Sequence, residues 1–171
     1  MTFAFSTPAQ VADTKALDDF VREFYSVGLK KLVAAGGPSH LTPEDLMPSF
    51  RSNLPSYLPP TGRLTLVHDQ TGRLVGACSI NQVRSDAGEL KRLYVRPEAA
   101  GHGLGRKIMN RQFEMARTMG WKAILINVIK GNDTMLHISR KAGFRDIDRY
   151  PECADSADLA DFFVYLQYDL Q

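Results

Sequence analysis

Between Gly101 and Arg106 the chain reads Gly-His-Gly-Leu-Gly-Arg, three glycines at alternate positions between a proline-stopped apolar run and a helical pattern. Glycine takes backbone conformations that a Cβ forbids, and it lets a ligand approach the main chain closely. The first amides of a helix have no intrahelical acceptor and carry the positive end of the peptide dipoles. The residues from His102 to Arg106 are therefore expected to point N–H groups at a phosphate or pyrophosphate. The spacing Gly-x-Gly-x-Gly is neither the Gly-x-Gly-x-x-Gly of a dinucleotide fold nor a P-loop, which needs Gly-Lys-Ser/Thr. For the turn alone a second reading stands beside anion binding: glycines that end a strand and admit a tightly packed helix.

Other chemistry-bearing residues are sparse. Cys78 and Cys153 are too few and too far apart for a disulfide framework, and neither Cys-x-x-Cys nor His-x-x-x-His spacing is present, so neither a disulfide nor a metal site is expected. Cys78 falls in an apolar strand pattern and reads as a buried thiol, whereas Cys153 falls in a polar loop and reads as a surface residue. With 21 Lys+Arg against 19 Asp+Glu, the formal charge of +2 points to neither nucleic acid nor an anionic membrane. No apolar run reaches the roughly 18 residues that span a bilayer, and the N-terminal stretch lacks the basic and apolar regions of a signal peptide. A cytoplasmic protein is expected.

The elements that must position the turn follow from periodicity. The chain of 171 residues is one domain's worth, and no repeat or linker divides it, so residues 1–171 are read as a single α/β (α+β) unit. A strand near Phe3–Phe5 leads to a helix over Asp13–Val33, with Leu17, Phe20, Val21 and Phe24 at helical spacing. A second helix starts at Thr42-Pro43-Glu44-Asp45, where Thr42 and Asp45 have the spacing of a capping box. Arg63–His68 and Leu74–Asn81 read as an antiparallel hairpin, and Glu89–Arg96 as the next strand. A helix over Leu104–Met119 follows the glycine turn, with Gly120 to close it. The unbroken apolar run Ala123–Val128 suits a central strand covered on both faces. A short helix from Asn132 to Lys141, a strand near Phe144–Tyr150, a polar loop over Pro151–Ala160 and an alternating strand Phe162–Leu170 complete the order β-α-α-β-β-β-α-β-α-β-β.

The stretch Glu89–Arg106, with Ala100-Gly101-His102-Gly103-Leu104-Gly105 at its turn, resembles motif A of the GNAT superfamily of N-acetyltransferases. Asn132 opening a helix that Gly143-Phe144 ends is similar to that family's following motif. The resemblance covers about Thr2 to Leu170. It implies the acyl-CoA N-acyltransferase fold: a mixed sheet of six to seven strands, splayed between the fourth and fifth, with about four helices. Acetyl-CoA would enter that gap as co-substrate, with no metal. The main chain of Leu93, Tyr94 and Val95 would pair with its pantetheine arm like an added strand. The amides of Gly101, His102, Gly103, Leu104, Gly105 and Arg106 would hold the pyrophosphate, and Asn132 would bond the amide arm. A homodimer is the family's habit.

The reaction so implied is direct attack by a primary amine on the thioester, which needs a neutral nucleophile, a stabilised oxyanion and a departing thiolate. Glu89 is the candidate base, beside the readings of a solvated strand-end charge or of proton loss through water. A main-chain N–H near Tyr94 or Val95 is the candidate oxyanion donor. Two positions depart from the family pattern. Ala100 stands where Gln or Arg is usual, which leaves the amides intact. Ser139 stands where many members carry a tyrosine proposed to protonate the thiolate, and Tyr94 or Tyr150 are the alternatives to it. Because a thiol of ordinary pKa is already a tolerable leaving group, the loss amounts to about 2 kcal/mol at neutral pH. The acceptor pocket would be formed by Ala34–Tyr57 and Pro151–Ala160. Glu152, Asp155, Asp158 and Asp161 give the second segment an acidity that would attract a cationic amine, unless it is simply a hydrated loop. A CoA-binding sensor without turnover is the competing function.

Overall fold

The apolar runs become seven strands of one mixed sheet, in the order β1-β2-β3-β4-β5-β7-β6, in a computed structural model that describes residues 2–170. The strands are β1 (Ala4–Ser6), β2 (Gly62–His68), β3 (Leu74–Arg84), β4 (Ala87–Val95), β5 (Ala123–Ile129), β6 (Arg145–Ile147) and β7 (Phe163–Asp169). All neighbours are antiparallel except β4 and β5, which are parallel and are connected through α3 (Leu104–Thr118). The other helices are α1 (Thr14–Ala34), α2 (Pro43–Asn53) and α4 (Asp133–Ala142). No helix among the described residues is long and apolar enough to cross a membrane.

Two apolar layers sandwich the sheet. On one face, Ile108, Met109, Phe113 and Ala116 of α3 pack with Ile124, Ile126 and Val128 of β5 and with partly buried Met135, Leu136 and Ile138 of α4. On the other, Leu17, Phe20 and Val21 of α1 and Met47 and Phe50 of α2 cover Leu64, Leu66 and Ala77. Leu125 of β5 joins a third cluster with Tyr150, Cys153 and Tyr165, so β5 is covered on both faces as its unbroken apolar run requires. The start of α2 is held by the Asp45 carboxylate, which accepts from the Thr42 amide at 2.8 Å and the Thr42 hydroxyl at 2.7 Å. That contact gives Thr42 and Asp45 their predicted partnership.

The differences from expectation lie at polar ends. β3 runs on to Arg84 because its last residues pair with the start of β4, alternating inward and outward at a half-exposed hairpin end. β6 keeps only three residues, since it is an edge strand paired with β7 alone and the chain after Ile147 leaves the sheet to bury Tyr150. Within the expected loop, a 3₁₀ turn covers Ala157–Phe162, begun by the Ser156 hydroxyl accepting from the Asp158 amide, and β7 therefore starts at Phe163. Cys153 is buried rather than at the surface, with only 7% of its area exposed.

Two irregularities shape the centre of the sheet. The parallel pairing of β4 with β5 covers Ala87 with Ala123, Gly88 with Ile124 and Glu89 with Leu125, and then stops. Beyond that point β4 stays paired with β3 as far as Val95, while β5 stays paired with β7 over its whole length. Each strand keeps its outer neighbour, so the sheet parts without breaking either half. Within β4, the step from Lys91 to Tyr94 takes three residues against two on β3, from Ser79 to Ala77. The extra residue makes a bulge, and Arg92 takes the left-handed φ of 55° there.

Candidate active site

The glycine turn lies at the far end of β4, after a short 3₁₀ turn at Pro97–Ala99. Gly101 and Gly103 have φ of 80° and 69°, which side chains rarely adopt, and Gly103 is the N-cap of α3. No side chain caps α3, and its first backbone bond runs from the Lys107 amide to the Gly103 carbonyl at 3.1 Å. Among the described residues, the amides from His102 to Arg106 have no acceptor. A Cβ built on Gly101, Gly103 or Gly105 would meet nothing within 4 Å. Packing therefore does not demand the glycines. Left-handed backbone at Gly101 and Gly103 does, and the bare turn leaves the amides accessible, as anion binding would require. The His102 ring is turned aside, Nδ1 donating to the Ala100 carbonyl at 2.9 Å and the ring edge meeting Phe3.

At the opposite end of the gap sits Glu89, the last residue of β4 to pair with β5. It is 1% exposed, so it is not a solvated strand-end charge. Its Oε1 accepts from the Tyr150 hydroxyl at 2.5 Å and its Oε2 from the Lys91 ammonium at 2.7 Å. Each carboxylate oxygen retains a second lone pair for a further donor. Burial first, and then the Glu89 charge, push the Tyr150 hydroxyl well above the usual tyrosine range, so it remains a protonated donor. The carboxylate is thus buried, held in one orientation, and placed where the strands separate.

The model of the Acetyltransferase (GNAT) family matches residues 31–144 of this chain, spanning the Glu89 strand, the glycine turn and α4. The chain belongs to the GNAT acetyltransferase family. It is 34% identical over 82 residues to the IAA acetyltransferase of Azospirillum brasilense, covering 47% of this chain and 54% of that one. It is 31% identical over 116 residues to the L-amino acid N-acyltransferase MnaT of Escherichia coli (strain K12), covering 63% of this chain and 66% of that one. The matches span about half to two-thirds of those relatives' own length. In fold, the chain superposes on the PaiA N-acetyltransferase of Thermoplasma acidophilum, solved in complex with coenzyme A, with a TM-score of 0.74 at 16% identity over 99% of both chains.

Within this GNAT fold the remaining predicted residues fall into two groups. Leu93, Tyr94 and Val95 lie on the stretch of β4 that has left β5, so their main chain borders the gap. Asn132 stands at the N-cap position of α4 without a side-chain cap bond, and its Oδ1 accepts from Lys31 of α1 at 2.7 Å, leaving its amide N–H groups without an acceptor among the described residues. Of the side chains proposed for acid chemistry, Tyr94 is engaged by another partner and Ser139 is not. The Tyr94 hydroxyl donates to Glu23 at 2.9 Å while its ring packs on Phe20 and Phe24, and Arg96 pairs with the same Glu23 at 2.8 Å. Burial and that carboxylate push the Tyr94 phenol up to about 12, and its hydroxyl is engaged with Glu23 of α1. Ser139 is fully buried, and its Oγ has no hydrogen-bond partner among the described residues.

The loop after β6 is less acidic in place than in sequence. Glu152 pairs with Arg84 at 3.5 Å, the Asp155 carboxylate accepts from Asn127 and from the Cys153 thiol, and Arg149 donates to the carbonyls of Cys153 and Asp155. Asp158 and Asp161 remain exposed. Sequence reasoning missed Lys91, Arg92 and Lys31. Lys91 carries a signal in hindsight, being two residues from Glu89 on one strand face. Arg92 carries none, because a bulge at a non-glycine residue leaves no mark in composition, and Lys31 is 101 residues from the Asn132 it contacts.

Proposed function

We propose that the chain is an acetyl-CoA-dependent N-acetyltransferase that acts on a primary amine with both substrates bound together. The observation that carries this reading is the parting of β4 from β5 immediately after Glu89, with the acceptor-free amides of residues 102–106 beyond the end of the same strand. Acetyl-CoA, when bound, supplies an activated acyl carbon and a thiolate leaving group. The amides of Gly101 to Arg106 bind its pyrophosphate, the free edge of Leu93–Val95 aligns its arm, and Asn132 adds a side-chain amide. A main-chain N–H near Tyr94 or Val95 faces the oxygen where negative charge develops.

Glu89 takes the proton from the incoming ammonium, directly or through one water, and Tyr150 and Lys91 hold its carboxylate in place. Ser139 offers its free hydroxyl to the departing sulfur, but a serine is a weak acid, and the thiolate leaves chiefly on its own acidity. The acceptor is a small-molecule or peptide amine, entering between α1–α2 and the loop at Pro151–Ala160. We further place the action in the cytoplasm and expect a homodimer. The experiment is release of free thiol from acetyl-CoA across a panel of amines. Turnover with at least one class supports the reading. Saturable coenzyme binding with no turnover across the panel would favour a CoA sensor instead.

A further inference from the structure

Three cations leave β4 or its end toward the α1–α2 face. Lys91 is neutralised by Glu89 at 2.7 Å and Arg96 by Glu23 at 2.8 Å. Arg92, between them, forms no ion pair among the described residues. Its guanidinium carbon lies 4.9 Å from the centre of the Tyr57 ring, 5.2 Å from Phe50 and 5.7 Å from Tyr25. Its Nε donates to the Tyr25 hydroxyl at 3.1 Å, and its Nη1 is shut from solvent with no acceptor among the described residues. Ring faces attract a cation, but they do not satisfy the in-plane N–H fork of a guanidinium, which matches a carboxylate. A largely buried cation with no counterion among the described residues, and with one N–H group left without an acceptor, is costly to keep.

The backbone indicates that this placement is maintained. In a regular strand Lys91 and Arg92 would point to opposite faces. The bulge, with its left-handed φ of 55° at Arg92, sends both to the face that carries Glu89. Two of the rings around Arg92, Phe50 and Tyr57, belong to the segment expected to line the acceptor pocket. Arg92 is three residues, roughly 10 Å of strand, beyond the base.

We infer that the acceptor is an amine that also bears a carboxylate, an amino acid in chemical class, and that Arg92 is the group that receives that carboxylate while Glu89 faces the amine. The inference rests on the acetyl-transfer reading above. Lys91, already paired with Glu89, bridges the two ends and discriminates against acceptors with a second cation near the amine.

The test compares free amino acids with their carboxamides and with spermidine, using the full chain at saturating acetyl-CoA. The wild-type protein is expected to favour each free acid over its amide by about 100-fold in kcat/KM, because an amide leaves the guanidinium without its counterion. R92Q is expected to reduce that preference below about 5-fold, mainly through KM for the acceptor, with KM for acetyl-CoA unchanged, and R92K to retain part of it. The acid-to-amide ratio is read on wild-type protein, so a poorly folding variant does not blunt the test. Equal or better turnover of amides or spermidine, or an unchanged ratio in R92Q, overturns the inference and leaves acetyl transfer standing. If no amine releases thiol, acetyl transfer itself fails. Thermal shift with acid against amide in the presence of coenzyme A then decides Arg92: stabilisation by the acid alone, lost in R92Q, supports the site, and no difference overturns it.

Discussion

The two ends of the gap between β4 and β5 are built from different materials. At the glycine turn every proposed contact is a main-chain amide, supplied by the six consecutive residues Gly101 to Arg106 and indifferent to most side chains. At Glu89 every contact is a side chain, and the participants come from β4, from the segment after β6, and from α1 and α2 around Arg92. The first end tolerates Ala100 in place of a larger polar residue, since the amides remain. The second cannot lose one member without leaving another buried and unpaired. On the proposed reading, cofactor binding is a property of local backbone, and acceptor chemistry a property of tertiary assembly.

Substitution at each end should expose that difference, most strongly at the base. Glu89→Gln removes the proton acceptor and leaves Lys91 without its counterion, so kcat should fall by roughly 10²- to 10⁴-fold while coenzyme binding is unchanged. Steady-state kinetics together with calorimetric titration of coenzyme A separate the two effects. A loss of less than about tenfold would mean that water removes the proton without help from the carboxylate.

At the other end, Gly103→Val forces a β-branched residue into a left-handed backbone and points its side chain at the approaching phosphate. Strain of about 1–3 kcal/mol at such a position should raise KM for acetyl-CoA by roughly 10- to 100-fold, with acceptor KM little changed. An equal rise in both constants would show that the two ends are not separable.

The smallest effect is on pH dependence. Tyr94 is held up to about 12 in the folded protein, and Tyr150 is displaced upward as well, both first by burial. A folded-state pKa above the unfolded value means that the unfolded chain loses its proton first, so stability is complete below about pH 10 and declines as pH rises beyond it. Chemical denaturation at pH 8, 10 and 11 should show this decline, reduced in Tyr94→Phe. A flat profile would show that Tyr94 and Tyr150 are not buried against carboxylates as described.

The same contrast explains what was legible in the sequence. Helices and strands with strong periodicity, such as Thr14–Ala34 and Ala123–Ile129, were readable because local pattern and burial agree. The conformation of the glycine turn was readable because its left-handed backbone and acceptor-free amides depend on consecutive residues. The fates of Tyr94, Cys153 and Glu152 were not, since each depends on a partner at least 26 residues away in Glu23, Asn127 or Arg84. Nor was the bulge at Arg92, where the strand departs from regular alternation without a glycine to announce it. The shortening of β6 belongs with these, because the pull on its end is the burial of Tyr150 against Glu89.

A crystal structure with coenzyme A bound tests the central claim most directly. The account predicts a diphosphate within hydrogen-bonding distance of the amides between His102 and Arg106, and the pantetheine arm lying along Leu93–Val95 in the space that β5 vacates. A coenzyme bound elsewhere, or β4 and β5 paired continuously past Glu89 and Leu125, would contradict it.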